Sequence, residues 1–387
     1  MSFQFIAADL AARTARHLYR RQHLIEQSEA GRVKIDGHWY YNFSSNDYLG
    51  LAQSQALRQA ACDAAQHTHS GSTASPLVTG YTVSHQRLED YLCQRLGRDR
   101  VLLFNSGFSA NQAVIQTLMR HGGQILADKL SHASMLDGAL ASQARLKRFA
   151  HNDVAHLSRL IQKDAEDTLI MTEGVFSMDG DKAPVQDIVE LASEANALLL
   201  LDDAHGFGVL GQSGAGTIEA GKLSQLALPL LMGTFGKAVA TSGAFVALST
   251  QLYEYLINFA RHYIYSTSMS PLMAEVTLAS LKLVHKDQWR RDKLTENIQL
   301  FREQAISEGL PVSFSDTAIQ PVAIGRSDKT LKVAEYARSQ GFWVGAMRAP
   351  TVPEGSARLR VTLSSIHEQD EIRQLIRALA KGLKDVC

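Results

Sequence analysis

Lys237 sits in the stretch LLMGTFGKAVATSG, residues 230–243, among glycines, alanines and small hydroxyls, directly after an apolar run. A solvated lysine keeps polar company. One held among small residues is desolvated, which lowers the proton affinity of its amine and frees it to form a Schiff base with a carbonyl. A nucleotide-loop reading fails, because a P-loop needs GxxxxGK[ST] and this chain has GTFGKA. A second signal is DDAHGFGVLG, starting at Asp202, right after the run ALLLL. A carboxylate at the end of a buried strand needs a partner, because burying a lone charge is costly. Asp202 could hold a protonated ring nitrogen, with His205 reaching an oxygen on the same ring. A metal site is disfavoured, since further ligands at the usual spacing are missing.

Three more strand-end loops carry weaker signals. In NSGFSANQAVIQTLM, a helix is expected from about Ser109, with Ser106, Gly107 and Phe108 in the loop before it. Free N–H groups at such a helix start bind phosphate well; an ordinary turn with a serine cap reads the same way. His132, in DKLSHASMLDG, opens another helix as a cap, a core residue or a ring that stacks on a flat ligand. In EGVFSMDGDKAP, Ser177 could donate to a ligand oxygen, while Asp179 and Asp181 shape the turn.

The elements that must position these residues alternate. Helical patterns cover 54–67, 83–96, 109–120, 153–163, 185–196 and 271–286, and between them lie the apolar runs VLLF, QILA, TLIMT, ALLLL, LPLLM and GAFVAL. The runs lack a period of two, as strands buried on both faces do. Such alternation predicts an α/β fold with a mainly parallel sheet, whose ligands bind beyond the carboxyl ends of the strands. Three domain-level segments are expected: an N-terminal helix and hairpin over 1–45, with the turn at Asp36-Gly37; a large α/β domain over 46–285; and a small α+β C-terminal domain over 286–387. The arginine-rich first 24 residues could pass for a presequence. The spacing of Ile6, Leu10 and Leu18 instead predicts a docked first helix.

The totals exclude several classes. With 387 residues, 45% hydrophobic and 39 basic against 39 acidic side chains, the chain has ample core and no net charge to attract nucleic acid or an anionic membrane. No apolar run reaches the ~18–20 residues that span a bilayer. Cys62, Cys93 and Cys387 are far apart, which fits a reducing, cytoplasmic setting rather than a disulfide or zinc scaffold.

Taken together, the strand-end loops supply a phosphate cradle, a stacking histidine, an Asp-x-x-His pair and a desolvated amine. Pyridoxal phosphate, with its phosphate, phenol oxygen, pyridine nitrogen and aldehyde, asks for that set. The segments NFSSNDYLGL, SGFSANQAVI, LSHASMLDG, TEGVFSMDGD, DDAHGFGVLG, GTFGKA, YIYSTSMSP and APTVPEGSARLRVTL carry a resemblance from about residue 15 to the C-terminus. The sequence resembles the α-oxoamine synthases, pyridoxal phosphate enzymes of fold type I related to the class II aminotransferases.

That resemblance implies a homodimer with shared active sites. It makes Lys237, His132, Asp202 and His205 catalytic, and places Gly107, Phe108, Ser177 and Thr234 on the cofactor with Ser266 and Thr267 given by the partner subunit. Arg360 is implied for the amino-acid carboxylate, with Asn46 helping; Arg21, or its neighbour Arg20, and Thr351 are implied for the acyl substrate. The spellings TEGVFSMDGD, DDAHG and TVPEG favour the branch that condenses L-alanine with a pimeloyl thioester, on coenzyme A or a carrier protein. The alternative is glycine with acetyl-CoA. One departure stands out: the family's glycine-rich stretch before Gly-Tyr reads GSTASPLVTGY here, residues 71–81, in a loop expected near the acyl substrate.

Overall fold

A computed structural model of the chain describes residues 3–161 and 167–386. Cys387 and the last two residues of the helix expected over 153–163 lie outside that range. Backbone contacts divide the chain into two units. One comprises Leu51–Ser177 with Lys182–Arg291, the other Met1–Gly50 with Met178–Asp181 and Asp292–Cys387.

The first unit is built on a seven-stranded sheet. Its spatial order is Arg100–Phe104, Ala244–Leu248, Leu230–Thr234, Leu198–Asp202, Thr168–Glu173, Gln124–Asp128 and Arg145–Phe149. Only Ala244–Leu248 runs antiparallel to its neighbours. Successive residues of one strand feed opposite cores: Leu199 and Leu201 join one apolar cluster, Leu200 the other. Both faces are therefore covered, which is why these strands read as unbroken apolar runs. The edge strand Arg145–Phe149 (RLKRF) escaped the sequence reading for the converse reason: it is charged and largely half-exposed, as edge strands that resist mispairing are. Gly233 keeps the neighbouring strands close, since a Cβ there would lie 2.5 Å from the Phe245 ring.

The departing stretch 71–81 forms a single π-helical turn over Pro76–Gly80. Gly80 is required there, because a Cβ would sit 2.1 Å from the Ala74 carbonyl oxygen. The following Tyr81 donates its hydroxyl to Glu89 Oε2 at 2.7 Å. Glu89 is buried on the helix Val83–Leu96, and that burial pushes its carboxyl up to about 8 from 4.5, against the pull of Tyr81 and Arg100. Because the folded group holds its proton while the unfolded one releases it, stability from Glu89 is complete below pH ~4.5 and is lost as pH rises toward 8. Glu89→Gln should therefore flatten the fall in urea midpoint between pH 5 and pH 8.5 relative to the wild type. Parallel pH profiles for the two proteins would contradict this account.

The second unit contains two small sheets. Arg32–Ile35 and His38–Asn42 form the expected hairpin, with Asp36 and Gly37 at φ 50° and 77°, the left-handed pair that a two-residue turn needs. His38–Asn42 pairs in parallel with Phe342–Trp343. That pairing, and the Thr362 N–H donated to the Phe43 carbonyl, tie residues 1–50 to the C-terminal part rather than leaving them as a separate segment. The other sheet places Ala357–Thr362 between Ile319–Gly325 and Gly345–Met347.

The N-terminal helix, Phe5–Ala15, corrects an expectation. It buries none of its residues; Ile6 and Leu10 are 52% and 45% exposed. The helix ends before Leu18 can join that face.

Candidate active site

One cavity of about 140 Å³ opens beyond the carboxyl ends of the parallel strands of the first unit. Gly107, Phe108, His132, Asp202, His205, Thr234 and Lys237 line it, together with Asn111, Ser134, Glu173, Ala204 and Met232. Seven residues singled out from separate strand-end loops thus meet around one space, as the rule for open α/β sheets requires.

Each is placed by a strand or a helix start. Asp202 is the last residue of Leu198–Asp202 and is 4% exposed. Its two oxygens accept hydrogen bonds from Asn111 Nδ2 at 2.8 Å and the Ala204 N–H at 3.0 Å. The charge is buried but held by two donors, which keeps it tolerable. The helix over Gly107–Leu118 starts two residues earlier than the sequence suggested, with Ser106 as its cap. Gly107 and Phe108 therefore occupy the first turn, where backbone N–H groups lack intrahelical partners. A Cβ on Gly107 would touch Met232 at 3.4 Å and Thr234 at 3.9 Å, so a side chain there would take up space in the cradle.

His132 caps the helix Ala133–Leu140, and its ring lies edge-on to Phe108 with centroids 6.2 Å apart. Asn111 Nδ2 also donates to Ser134 Oγ at 2.9 Å, and Ser134 Oγ lies 2.8 Å from His132 Nδ1. The Ser134 N–H donates to the same nitrogen. Nδ1 is thus an acceptor and the proton of the neutral ring belongs on Nε2. Burial lowers the imidazole's proton affinity, with Asp202 opposing and Lys237 reinforcing the effect. The ring is held neutral and fixed.

Thr234 ends its strand and spends its hydroxyl on the loop, donating to the Gly243 carbonyl at 3.0 Å. Lys237 follows, half-buried between Phe235 and the fully buried pair Ala238 and Val239. Asp203, the second acid of the DD pair, turns away from the cavity. It accepts the Thr217 N–H and hydroxyl at 2.7 and 2.6 Å, and burial pushes it up to about 7.

Ser177, Ser266 and Thr267 do not line this cavity. The Thr267 carbonyl accepts Asn105 Nδ2 at 2.7 Å, which anchors the YSTS loop beside the strand Arg100–Phe104. Asn111, Ser134 and Glu173 escaped the sequence reading. A helical face would have revealed Asn111, four residues after Gly107 and polar inside an apolar stretch.

In the second unit, Arg360 lies on the central strand of its sheet and is 5% exposed. Both Nη atoms reach Asn46 Oδ1 at 3.2 Å, and Nη1 donates to Thr362 Oγ1 at 2.8 Å. The buried Tyr48 hydroxyl donates to the same Asn46 oxygen at 3.2 Å. Its neighbour Arg358 instead pairs with Asp179. Arg21 and Thr351 line a separate cavity of about 680 Å³ in this unit, and Arg20 Nη2 donates to Thr351 Oγ1 at 2.9 Å.

The aminotransferase class I and II family model matches residues 40–379. Three relatives, each an 8-amino-7-oxononanoate synthase, align over almost the whole length. The protein of Hydrogenovibrio crunogenus is 48% identical, covering 97% of this chain and 95% of its own. That of Cellvibrio japonicus is 46% identical, covering 99% and 97%. That of Stutzerimonas stutzeri is 45% identical, covering 97% and 96%. The chain belongs to the 8-amino-7-oxononanoate synthase family. Among solved structures, a serine palmitoyltransferase variant from S. paucimobilis with bound PLP–myriocin aldimine superposes with a TM-score of 0.93 at 25% identity, covering 99% of this chain and 98% of that one. An 8-amino-7-oxononanoate synthase from Francisella tularensis gives 0.79 at 30% identity, covering 89% and 98%. The fold is that of the type I pyridoxal phosphate enzymes.

The cavity's own chemistry fits the family's cofactor. It offers a buried carboxylate for a pyridine N–H, a neutral ring for a stacking face, a helix start for a phosphate and an amine for an aldehyde.

Proposed function

We propose that the chain condenses L-alanine with a pimeloyl thioester, giving 8-amino-7-oxononanoate, carbon dioxide and the free thiol, a step of biotin biosynthesis. The observation that carries this reading is the convergence of Asp202, His132 and Lys237 on one cavity in a chain of this family. Pyridoxal phosphate, when bound, supplies a ring that takes up the electron pair left as a bond to the α-carbon breaks.

The chain's residues do the rest. The Asp202 carboxylate, fixed by Asn111 and Ala204, holds a proton on the heterocycle's nitrogen by charge and hydrogen bond. Lys237 Nζ takes the α-proton of alanine and returns one after carbon dioxide leaves. His132 presents a neutral, immobile face, and its Nε2–H is the donor available to a developing acyl oxyanion. His205 contacts the phenol oxygen, with Ser177 nearby, and the first turn at Gly107 and Phe108 receives the phosphate, with Thr234 lining that side of the cavity. Ser266 and Thr267 of a second copy complete that cradle, which makes the working form a homodimer. Arg21 and Thr351 meet the acyl substrate.

Arg360 is assigned to the alanine carboxylate. It is nearly buried, and Asn46 and Thr362 fix its planar fork for two parallel bonds, which a lysine cannot make. Arg360→Lys should raise the KM for alanine on the order of tenfold to a hundredfold with a smaller change in kcat. An unchanged KM in a folded variant would remove Arg360 from the carboxylate.

Product identification tests the function. The purified, cofactor-loaded protein is offered alanine or glycine with pimeloyl-CoA or acetyl-CoA. Formation of 8-amino-7-oxononanoate from alanine and pimeloyl-CoA is expected; preference for glycine with acetyl-CoA would overturn the substrate assignment.

A further inference from the structure

Glu173 ends the strand Thr168–Glu173, pairs in register with Asp202 and lines the same cavity at 2% exposure. Its carboxyl accepts the His132 backbone N–H. Its Oε1 has no hydrogen-bond partner among the described residues. The neighbouring buried acids differ in this respect. Asp128 accepts the Leu130 and Asn152 N–H groups and faces His151 Nδ1, and Asp202 and Asp203 have the partners described above. A buried polar atom left unpaired costs about 1–3 kcal/mol, so such an atom at a cavity wall marks a place where a ligand completes the bonding.

The charge balance around Glu173 decides what kind of bond it makes. Burial and the carboxylates of Asp202 and Asp128 favour its neutral form, while Lys237 and the His132 N–H favour the ionised one. Burial is the largest of these and raises the carboxyl well above its ordinary value, which favours the neutral form. A neutral carboxyl has one acceptor oxygen for His132 and one O–H to donate.

Resting on the function proposed above, we infer that Glu173 is an active-site hydrogen-bond donor, its Oε1–H directed to an acceptor oxygen of the bound cofactor or amino acid while its other oxygen fixes the His132 backbone. Glutamine reproduces both roles, accepting with its carbonyl and donating with its amide. Leucine reproduces neither.

The test compares wild type, Glu173→Gln and Glu173→Leu. Affinity for pyridoxal phosphate alone is measured by fluorescence quenching, and affinity for L-alanine by the spectral change of the loaded protein, each from pH 6.5 to 8.5. Glu173→Gln should stay within threefold of wild type across that range, and Glu173→Leu should lose tenfold or more. Loss in the first titration places the acceptor on the cofactor; loss only in the second places it on the amino acid. Glu173→Gln failing as badly as Glu173→Leu would show that an ionised carboxylate is needed, and wild-type behaviour of Glu173→Leu would show that the group does nothing; either overturns the inference. If Glu173→Leu does not fold, the Glu173→Gln titrations still decide between neutral and ionised forms. A wild type that binds both molecules yet makes no condensation product would refute the proposed function and leave these titrations readable.

Discussion

Lys237→Ala should leave a folded protein that no longer holds the cofactor covalently and condenses alanine at least ~10³-fold more slowly. Lys237 follows the strand Leu230–Thr234 and is flanked by side chains with essentially no solvent exposure, on the wall of a cavity with Asp202 and His132. On the proposed function, two roles would end with this one nitrogen: attachment of the aldehyde, and proton transfer at the α-carbon. The substitution removes a half-buried side chain without opening the core, so stability should change little. The checks are the visible absorbance of the loaded protein and single-turnover product formation. Wild-type turnover in the variant would assign both functions elsewhere.

Asp202→Asn should lower kcat on the order of 10²- to 10³-fold while the cofactor still binds. Asp202 accepts from Asn111 on one oxygen and from Ala204 on the other. An amide offers one acceptor oxygen, so one of those donors would face an NH₂ group. The larger loss is the charge itself, since a neutral amide does not hold a proton on the ring nitrogen, and without it the ring is a poor store for an electron pair. Steady-state kinetics with alanine, alongside a cofactor titration, separate the two effects. Turnover within threefold of wild type would mean that the ring nitrogen is not protonated by this carboxylate.

Much of the site was legible because chemistry and topology coincide here. Buried parallel strands announce themselves as apolar runs, and the residue after each run is where an open α/β sheet presents its ligand groups. Lys237, Asp202 and His132 were found that way, from position rather than from any one motif. What stayed hidden depends on contacts across the sequence. Asn111 gains its meaning only when the helix Gly107–Leu118 brings it beside both Asp202 and Ser134, 91 and 23 residues away. Glu173 looked like part of a turn until its register with Asp202 placed it on the cavity wall. The strand Arg145–Phe149 lacks an apolar run because its residues stay largely half-exposed at the sheet edge, whereas the opposite edge strand Arg100–Phe104 is buried and reads as VLLF. The N-terminal helix shows the opposite failure: its apolar spacing implied a docking face, yet none of its residues is buried.

Capture of the cofactor's aldehyde by the Lys237 nitrogen is tested most directly by borohydride reduction of the pyridoxal phosphate-loaded protein, followed by proteolysis and mass spectrometry of the modified peptide. The cofactor's mass is expected on Lys237 alone, with none on that peptide in an unreduced control. A label on a different lysine, or scattered over several surface lysines with Lys237 unmodified, would contradict it.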